Sequence, residues 1–251
     1  MRYLEEQYNL LCTKLFQPLG FKKRRNTYIR AVNDIIQKVY LQQSVYGGSY
    51  VIGFGMIPLC MELTKEHLTG GVYCLYYLSQ LNGEWKWWTY DKNSSDSIDN
   101  SLKEVEEILI HKLIPLFIGS ESCGSAFDSL CSLERKYYQK RAESAMTKRQ
   151  DNCIRDYIFM LDEYKRYMAL KCKNYDYALE SYKIKLQQET EALSSVLNFS
   201  PEEVIQRRRA SIEAIEHKIA RLKAKDYPYF NAMLLANEQN SKALLRRTKL
   251  I

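Results

Sequence analysis

The chain has 251 residues, of which 46% are hydrophobic and 27% charged, and a formal net charge of +7. A chain of this length buries a real core, so neither a disulfide framework nor a structural metal is needed for it to fold. The seven cysteines (Cys12, Cys60, Cys74, Cys123, Cys131, Cys153 and Cys172) are odd in number, scattered and free of Cys-x-x-Cys pairs. That argues against a disulfide scaffold or a zinc site and for a reducing compartment.

The opening Met1-Arg2-Tyr3-Leu4-Glu5-Glu6 turns acidic where the apolar core of a signal peptide would begin. The longest mostly apolar run, Tyr50 to Met61, is too short to span a bilayer and contains glycine and proline. A cytoplasmic protein with no membrane partner is expected. From Tyr3 to Phe16, the spacing of Leu4, Tyr8, Leu11, Cys12 and Leu15 predicts an amphipathic helix, ended by Pro18 and Gly20. Thr27 to Arg30 reads as a short strand. Ile36 to Ser44 and Tyr50 to Ile57 read as a hairpin around Gly47-Gly48, with Gly53 and Gly55 marking a bulge or a close approach. A second hairpin is expected between Gly71 to Ser79 and Glu84 to Tyr90, turning at Asn82-Gly83. Its second strand would carry Trp85 and Trp87 on one face and Trp88 and Tyr90 on the other. Either both faces are covered or one is an exposed aromatic platform of the kind that stacks bases. A helix then runs from Ser97 to about Leu116 on a stripe of Ile98, Leu102, Val105, Leu109, Leu113 and Leu116.

Several short motifs in this region resemble the bacterial domain-of-unknown-function family 4304. They are Leu19-Gly20-Phe21-Lys22-Lys23, Tyr28-Ile29-Arg30, Gln37-x-Val39-x-Leu41-Gln42-x-Ser44 and the Gly53-Phe54-Gly55 strand. The resemblance covers roughly the first 120 residues. It implies a small α+β domain and brings no catalytic residues with it. As physics, the motifs read mainly as scaffold: Gly20 ends the helix, Phe21 fills the core, and Gln42 and Ser44 sit where a strand meets a turn. Gln42 could instead be a buried polar group aimed into a cleft.

Beyond residue 130 the pattern changes to helix upon helix, and so does the charge. Up to Leu130 there are 13 basic against 14 acidic residues, and from Cys131 on there are 24 against 16. Helices are predicted over Ser125 to Thr147, Asp151 to Lys171 and Tyr175 to Leu197. Another follows Ser200-Pro201-Glu202-Glu203, read as a capping box, with an Ile205, Ile212, Ile215, Ile219, Leu222 seam. The last starts at Pro228. Short connections between them mean antiparallel neighbours. The fold class is therefore α+β: a small antiparallel sheet with flanking helices, followed by an all-α antiparallel helical bundle or array. The units are residues 1–122 and a helical extension over 123–251.

The three histidines, His67, His111 and His217, form no ligand pattern, and no phosphate-binding loop, dinucleotide fingerprint or nucleophile elbow is present. No cofactor and no metal are expected. Glu62, Glu66 and His67 form either an acid/base set or a solvated turn, the second being the better reading. The expectation is a non-enzymatic interaction protein whose partner is a protein or a second copy of itself. Its candidate surface consists of Gln42, Ser44, Trp85, Trp87, Trp88 and Tyr90. The alternative is nucleic-acid binding with phosphate contacts from Lys22, Lys23, Arg24, Arg25, Arg207, Arg208 and Arg209, which requires these clusters to converge. A small-molecule-binding or enzymatic domain is the third reading.

Overall fold

The structure is a computed structural model that describes residues 2–68, 76–84, 86–143, 162–197 and 200–251. Helix α1 (Arg2–Phe16) buries Leu4, Tyr8 and Cys12 of the expected stripe and adds Phe16, while Leu11 and Leu15 are partly buried beside them. The turn after it closes on Gly20, whose φ of 85° is costly for any residue with a Cβ. Four antiparallel strands follow in a simple meander: β1 (Lys22–Arg24), β2 (Thr27–Val32), β3 (Ile35–Gln43) and β4 (Ser49–Pro58). The β3–β4 register runs unbroken from Ile35↔Pro58 to Gln43↔Tyr50, so the expected bulge at Gly53 and Gly55 does not form. These glycines instead stand across from Tyr40 and Lys38, two of the bulkiest side chains on their face.

Residues 71–75 and 85 of the expected tryptophan hairpin lie outside the described residues, and its described part takes a different form. Strands β5 (Tyr76–Tyr77) and β6 (Trp88–Thr89) do not pair with each other but lie one after the other along the free edge of β4. Asn82-Gly83 does turn the chain, with Gly83 at φ 75°, but it ends a short 3₁₀ helix over Leu78–Asn82. An Asn-Gly pair specifies a reversal; which backbone the flanking residues join is decided by the open hydrogen-bonding edge of β4.

Helix α2 (Ser95–Ile108) is capped by the Ser94 hydroxyl, which accepts from the Ser97 N–H at 3.2 Å. It continues through a π turn (Leu109–Leu113) into α3 (Ile114–Ile118). Pro115 has no N–H for the carbonyl one turn back, and the ladder widens just before it, with Ile114 N–H reaching Leu109. The wider turn carries the buried stripe from Leu109 to Leu113 and on to Phe117, rather than to Leu116.

Strand alternation assigns the faces of the sheet. Tyr28, Gln37, Val39, Leu41, Ile52, Phe54 and Met56 share one side, which α1 to α3 cover. Tyr28 donates to Asn9 O at 2.9 Å, Tyr50 meets Ser101 at 2.9 Å, and Phe21 and Phe54 pack on Phe117 at 5.6 and 6.2 Å. At the end of this layer sits a polar clasp. Gln37, fully buried, donates from Nε2 to Phe117 O (2.6 Å) and Ser120 O (3.0 Å). Its Oε1 accepts from Arg30 Nε and Nη2, and Arg30 also reaches Leu19 O and the Glu121 carboxylate.

The opposite side, with Ile29, Ile36, Lys38, Tyr40, Val51 and Ile57, is buried as well. Elements beyond residue 122 reach the sheet and the segment that follows β4. Helix α4 (Cys123–Glu143) starts with Cys123 N–H bonded to Asp34 Oδ1 at 2.8 Å. Helix α5, described over 162–171, brings Tyr164 against His67 and the Tyr167 carbonyl to Cys60 Sγ. Helices α6 (Tyr175–Val196) and α7 (Glu202–Lys223) pack along each other, and α8 (Tyr227–Arg247) sends Ser241 Oγ to Met61 O at 2.8 Å. Tyr175 stacks on Tyr227 at 4.0 Å, joining the starts of α6 and α8. Buried apolar side chains from both halves form one continuous cluster.

The fold class is thus as expected, with local corrections. Pro201, not Ser200, is the N-cap of α7, and because proline carries no side-chain acceptor the capping box does not form; Glu202 and Glu203 instead place negative charge in the first turn. The expected helical stretches over 144–161 lie outside the described residues.

The Gln37 clasp sets a stability test. Gln37→Met keeps the volume but removes the side-chain donor to the Phe117 and Ser120 carbonyls and the acceptor of Arg30 Nε. Urea unfolding is expected to show a loss of about 2–3 kcal/mol with an unchanged m-value. A loss below about 0.5 kcal/mol would show that the clasp does not hold α3 to the sheet.

Candidate functional site

The expected aromatic surface divides in two. Trp88 is 3% exposed and Tyr90 7%, and both pack on Tyr50, at 5.9 and 6.0 Å. They are core, consistent with covered faces rather than a platform. Trp87 is 39% exposed, and Trp85 lies outside the described residues. Trp87 and Trp88 line a groove of about 650 Å³ against α2 with Lys86, Thr89, Ser94, Asp96, Ser97, Asn100, Ser101 and Glu104. Most of these groups are neutral hydroxyls and an amide. Lys86 bonds to Glu104, which holds the ammonium above the ordinary lysine range. Trp88 Nε1 is buried without a hydrogen-bond partner. The sequence signal for this groove was the tryptophan run itself; the α2 residues that complete it carry none, because serines and asparagines on a helix usually mark its solvated side.

Gln42 and Ser44 stay at the end of the β3–β4 hairpin, apart from a cleft of this kind. Gln42 faces the Lys38 side of the sheet with a buried, unpartnered Oε1. Ser44 accepts at Oγ from Tyr46 N–H at 3.3 Å, and its backbone closes the turn. Beyond it, Val45 and Tyr46 project into solvent, with the Tyr46 carbonyl held by Lys92 Nζ at 2.7 Å.

The basic residues also separate. Arg207 and Arg209 are exposed on α7, Arg209 lying 3.8 Å from Glu202, while Arg208 is tied to Glu189 at 3.1 Å. Lys22 to Arg25 form β1 and the turn into β2, on the outer edge of the sheet. Lys22 and Lys23 line a second groove of about 370 Å³ with Thr13, Gln17, Phe21 and Tyr28. Among the described residues no hydrogen bond or ion pair links the two clusters.

A third constellation was not expected. Arg166 on α5 is buried, donates from Nε to Ser181 Oγ at 3.0 Å and stacks its guanidinium over Tyr182 at 4.6 Å. Lys218 of α7 approaches the same ring at 5.8 Å, and Lys185 of α6 lies 3.6 Å from Glu189. Burial draws both ammonium groups below the ordinary lysine range, opposed by the Glu163 carboxylate. Burial pushes the Tyr167 phenol up to about 12. Glu163, Glu189 and Glu62 bring negative charge close to this cluster, so it serves to bind α5, α6 and α7 into one body. Its only sequence signal was charge placed among the apolar positions of α5.

The Glu62, Glu66 and His67 group does not form an acid/base set. Glu62 and Glu66 are exposed, while His67 is buried. Its Nδ1 accepts from Thr64 N–H at 3.0 Å, and its carbonyl accepts from Lys38 Nζ at 3.0 Å. Among the described residues no group of three or more His, Cys, Asp or Glu could hold a metal ion, and no helix is long and apolar enough to cross a membrane.

Residues 12–118 match the family described as Domain of unknown function (DUF4304), the segment in which the motifs of the sequence lie. No curated protein and no solved structure matches the chain.

His67 gives the fold a pH dependence. Burial holds its imidazole below the ordinary value of 6.5, reinforced by Lys38 and opposed by Glu163 and Glu66. The unfolded chain takes up a proton near pH 6.5 that the folded chain refuses, so stability falls as pH drops through that value towards the folded one. The urea midpoint of the wild type is expected to fall from pH 7 to pH 5 by more than that of His67→Gln. Equal slopes would remove His67 as the cause.

Proposed function

We propose that the chain is a non-enzymatic interaction protein of the bacterial cytosol that holds a polypeptide partner in the Trp87 groove. The observation that carries this reading is a half-exposed tryptophan over a groove rimmed by neutral hydroxyl and amide groups. Tryptophan supplies a large contact area with few rotamers, and such residues dominate interface energies. Ser94, Ser97 and Ser101 already hold bonds within the fold, and the exposed Thr89 hydroxyl and Asn100 amide supply the uncharged groups that meet the N–H and C=O groups of an extended backbone. The only full charges in the lining are Lys86, Asp96 and Glu104, close to balance, which suits a peptide better than a phosphate chain. A cytosolic setting agrees with the five described cysteines being free thiols.

Selection of a displayed peptide library on the full chain tests this. Selected peptides are expected to bind the wild type and to lose about thirtyfold in affinity on Trp87→Ala, as for a 2 kcal/mol hot spot. Thermal unfolding of the variant should match the wild type. Peptides that bind both proteins equally, or no selection above background, would contradict the reading.

A further inference from the structure

We propose that the edge of the sheet at β1, together with the C-terminal turn of α8, binds the sugar–phosphate backbone of a nucleic acid. This surface is distinct from the Trp87 groove and does not depend on it.

The sequence contains two stretches without a single acidic residue, 7–33 and 239–251. They are more than 200 positions apart, and the fold joins them: Lys22 Nζ donates to the Lys249 carbonyl at 3.4 Å. The turn that follows α8 is fixed there by Leu250, which is buried and bonds from its N–H to Leu245 O at 2.9 Å. This one contact puts the chain segment of Lys22, Lys23, Arg24 and Arg25 beside the segment of Arg246, Arg247 and Lys249. The other cations of these stretches are neutralised: Lys14 by Glu106, Arg30 by Glu121 and Lys242 by Glu238. These seven have no carboxylate partner among the described residues, and Arg24 Nη1 is buried without a hydrogen-bond partner.

Their arrangement suits a polyanionic strand. β1 is an edge strand, and alternation sends its side chains to both sides. Lys23 lies across from Tyr28, whose hydroxyl bonds to Thr13 on α1, so Lys23 belongs to the side of the 370 Å³ groove. Lys22 also borders that groove, and its ammonium reaches the α8 turn. The groove adds Thr13 and Gln17, side chains that bond to phosphate and sugar oxygens, and four of the seven cations are arginines, whose forks match phosphate geometry. Lysines on an edge strand also deter aggregation. That role accounts for Lys22 and Lys23, but not for the acid-free end of α8, with Arg246, Arg247 and Lys249, docking beside them.

The test is fluorescence anisotropy of the full chain with labelled random-sequence duplex and single-stranded DNA at about 50 and 200 mM salt. About five engaged phosphates give a log–log salt slope near −4.5 on duplex, a loss of a few hundredfold over that range. Arg246→Glu with Arg247→Glu, and separately Lys22→Glu with Lys23→Glu, should each weaken low-salt binding at least about tenfold. Arg207→Glu with Arg209→Glu on α7, an equal change in net charge, should stay within about threefold. All these side chains are exposed, and unchanged urea midpoints confirm folding. Absence of binding at low salt would overturn the proposal. So would an equal loss in the α7 variant, or binding to phosphatidylserine vesicles that DNA does not displace.

Discussion

Strand β3 carries a lysine, Lys38, at a position with no solvent exposure, on the side of the sheet that α1 to α3 do not cover. A two-layer domain would leave that side open to water, and Lys38 would be an ordinary surface residue. Here its ammonium is spent on the carbonyl of a buried histidine, and the histidine ring rests on Tyr164 of α5. An ammonium is kept charged in such a place only when its donors are satisfied, so the position of the 59–68 segment and of α5 is bound to the position of β3. The rest of the architecture follows from a sheet that must be covered twice.

The two coverings are held in different ways. On the first side, aromatic packing around Phe117 and the Gln37 clasp fix the end of α3 against the strands. On the second, the contacts are longer in sequence and more polar: Asp34 at the start of α4, Cys60 to Tyr167, and Met61 to Ser241. The buried ions among α5, α6 and α7 extend this pattern. Lys165 illustrates it: burial opposes its charge, yet Glu134 at 2.5 Å and Asp162 at 3.2 Å hold it above the ordinary lysine range. Such groups are costly to expose singly once their partners are in place.

Much of this was legible in residue order, and the exceptions have physical causes. Helical periodicity located α1 and α2, and Gly20 stopped the first helix where its φ demanded glycine. Gln37 has a signal in being in phase with Val39 and Leu41 on the buried side of β3, whereas Gln42, beside the turn, carries the more conspicuous one. The Asn82-Gly83 turn was legible, but not the strand its flanks would join, because edge pairing is a non-local choice. Of the candidate site, the tryptophans were visible and their division into core and surface was not, since alternation in a two-residue strand depends on which neighbour it meets. Convergence of basic clusters from the two ends of the chain has no signature in local pattern at all; only the fold brings Lys22 to Lys249.

Both surfaces singled out here depend on the shared core. The Trp87 groove needs β6 held to β4, and the basic face needs α8 held across to the sheet. Both therefore require the two halves to unfold together. Native-state hydrogen exchange on the full chain under increasing denaturant measures this directly. The slowest amides of β3 and β4 and those of α8 around Ser241 to Leu245 are expected to exchange with one common opening free energy and one denaturant dependence. Exchange of α8 at a much lower free energy, with β3 and β4 still protected, would show that the sheet does not need its second covering and would contradict the account.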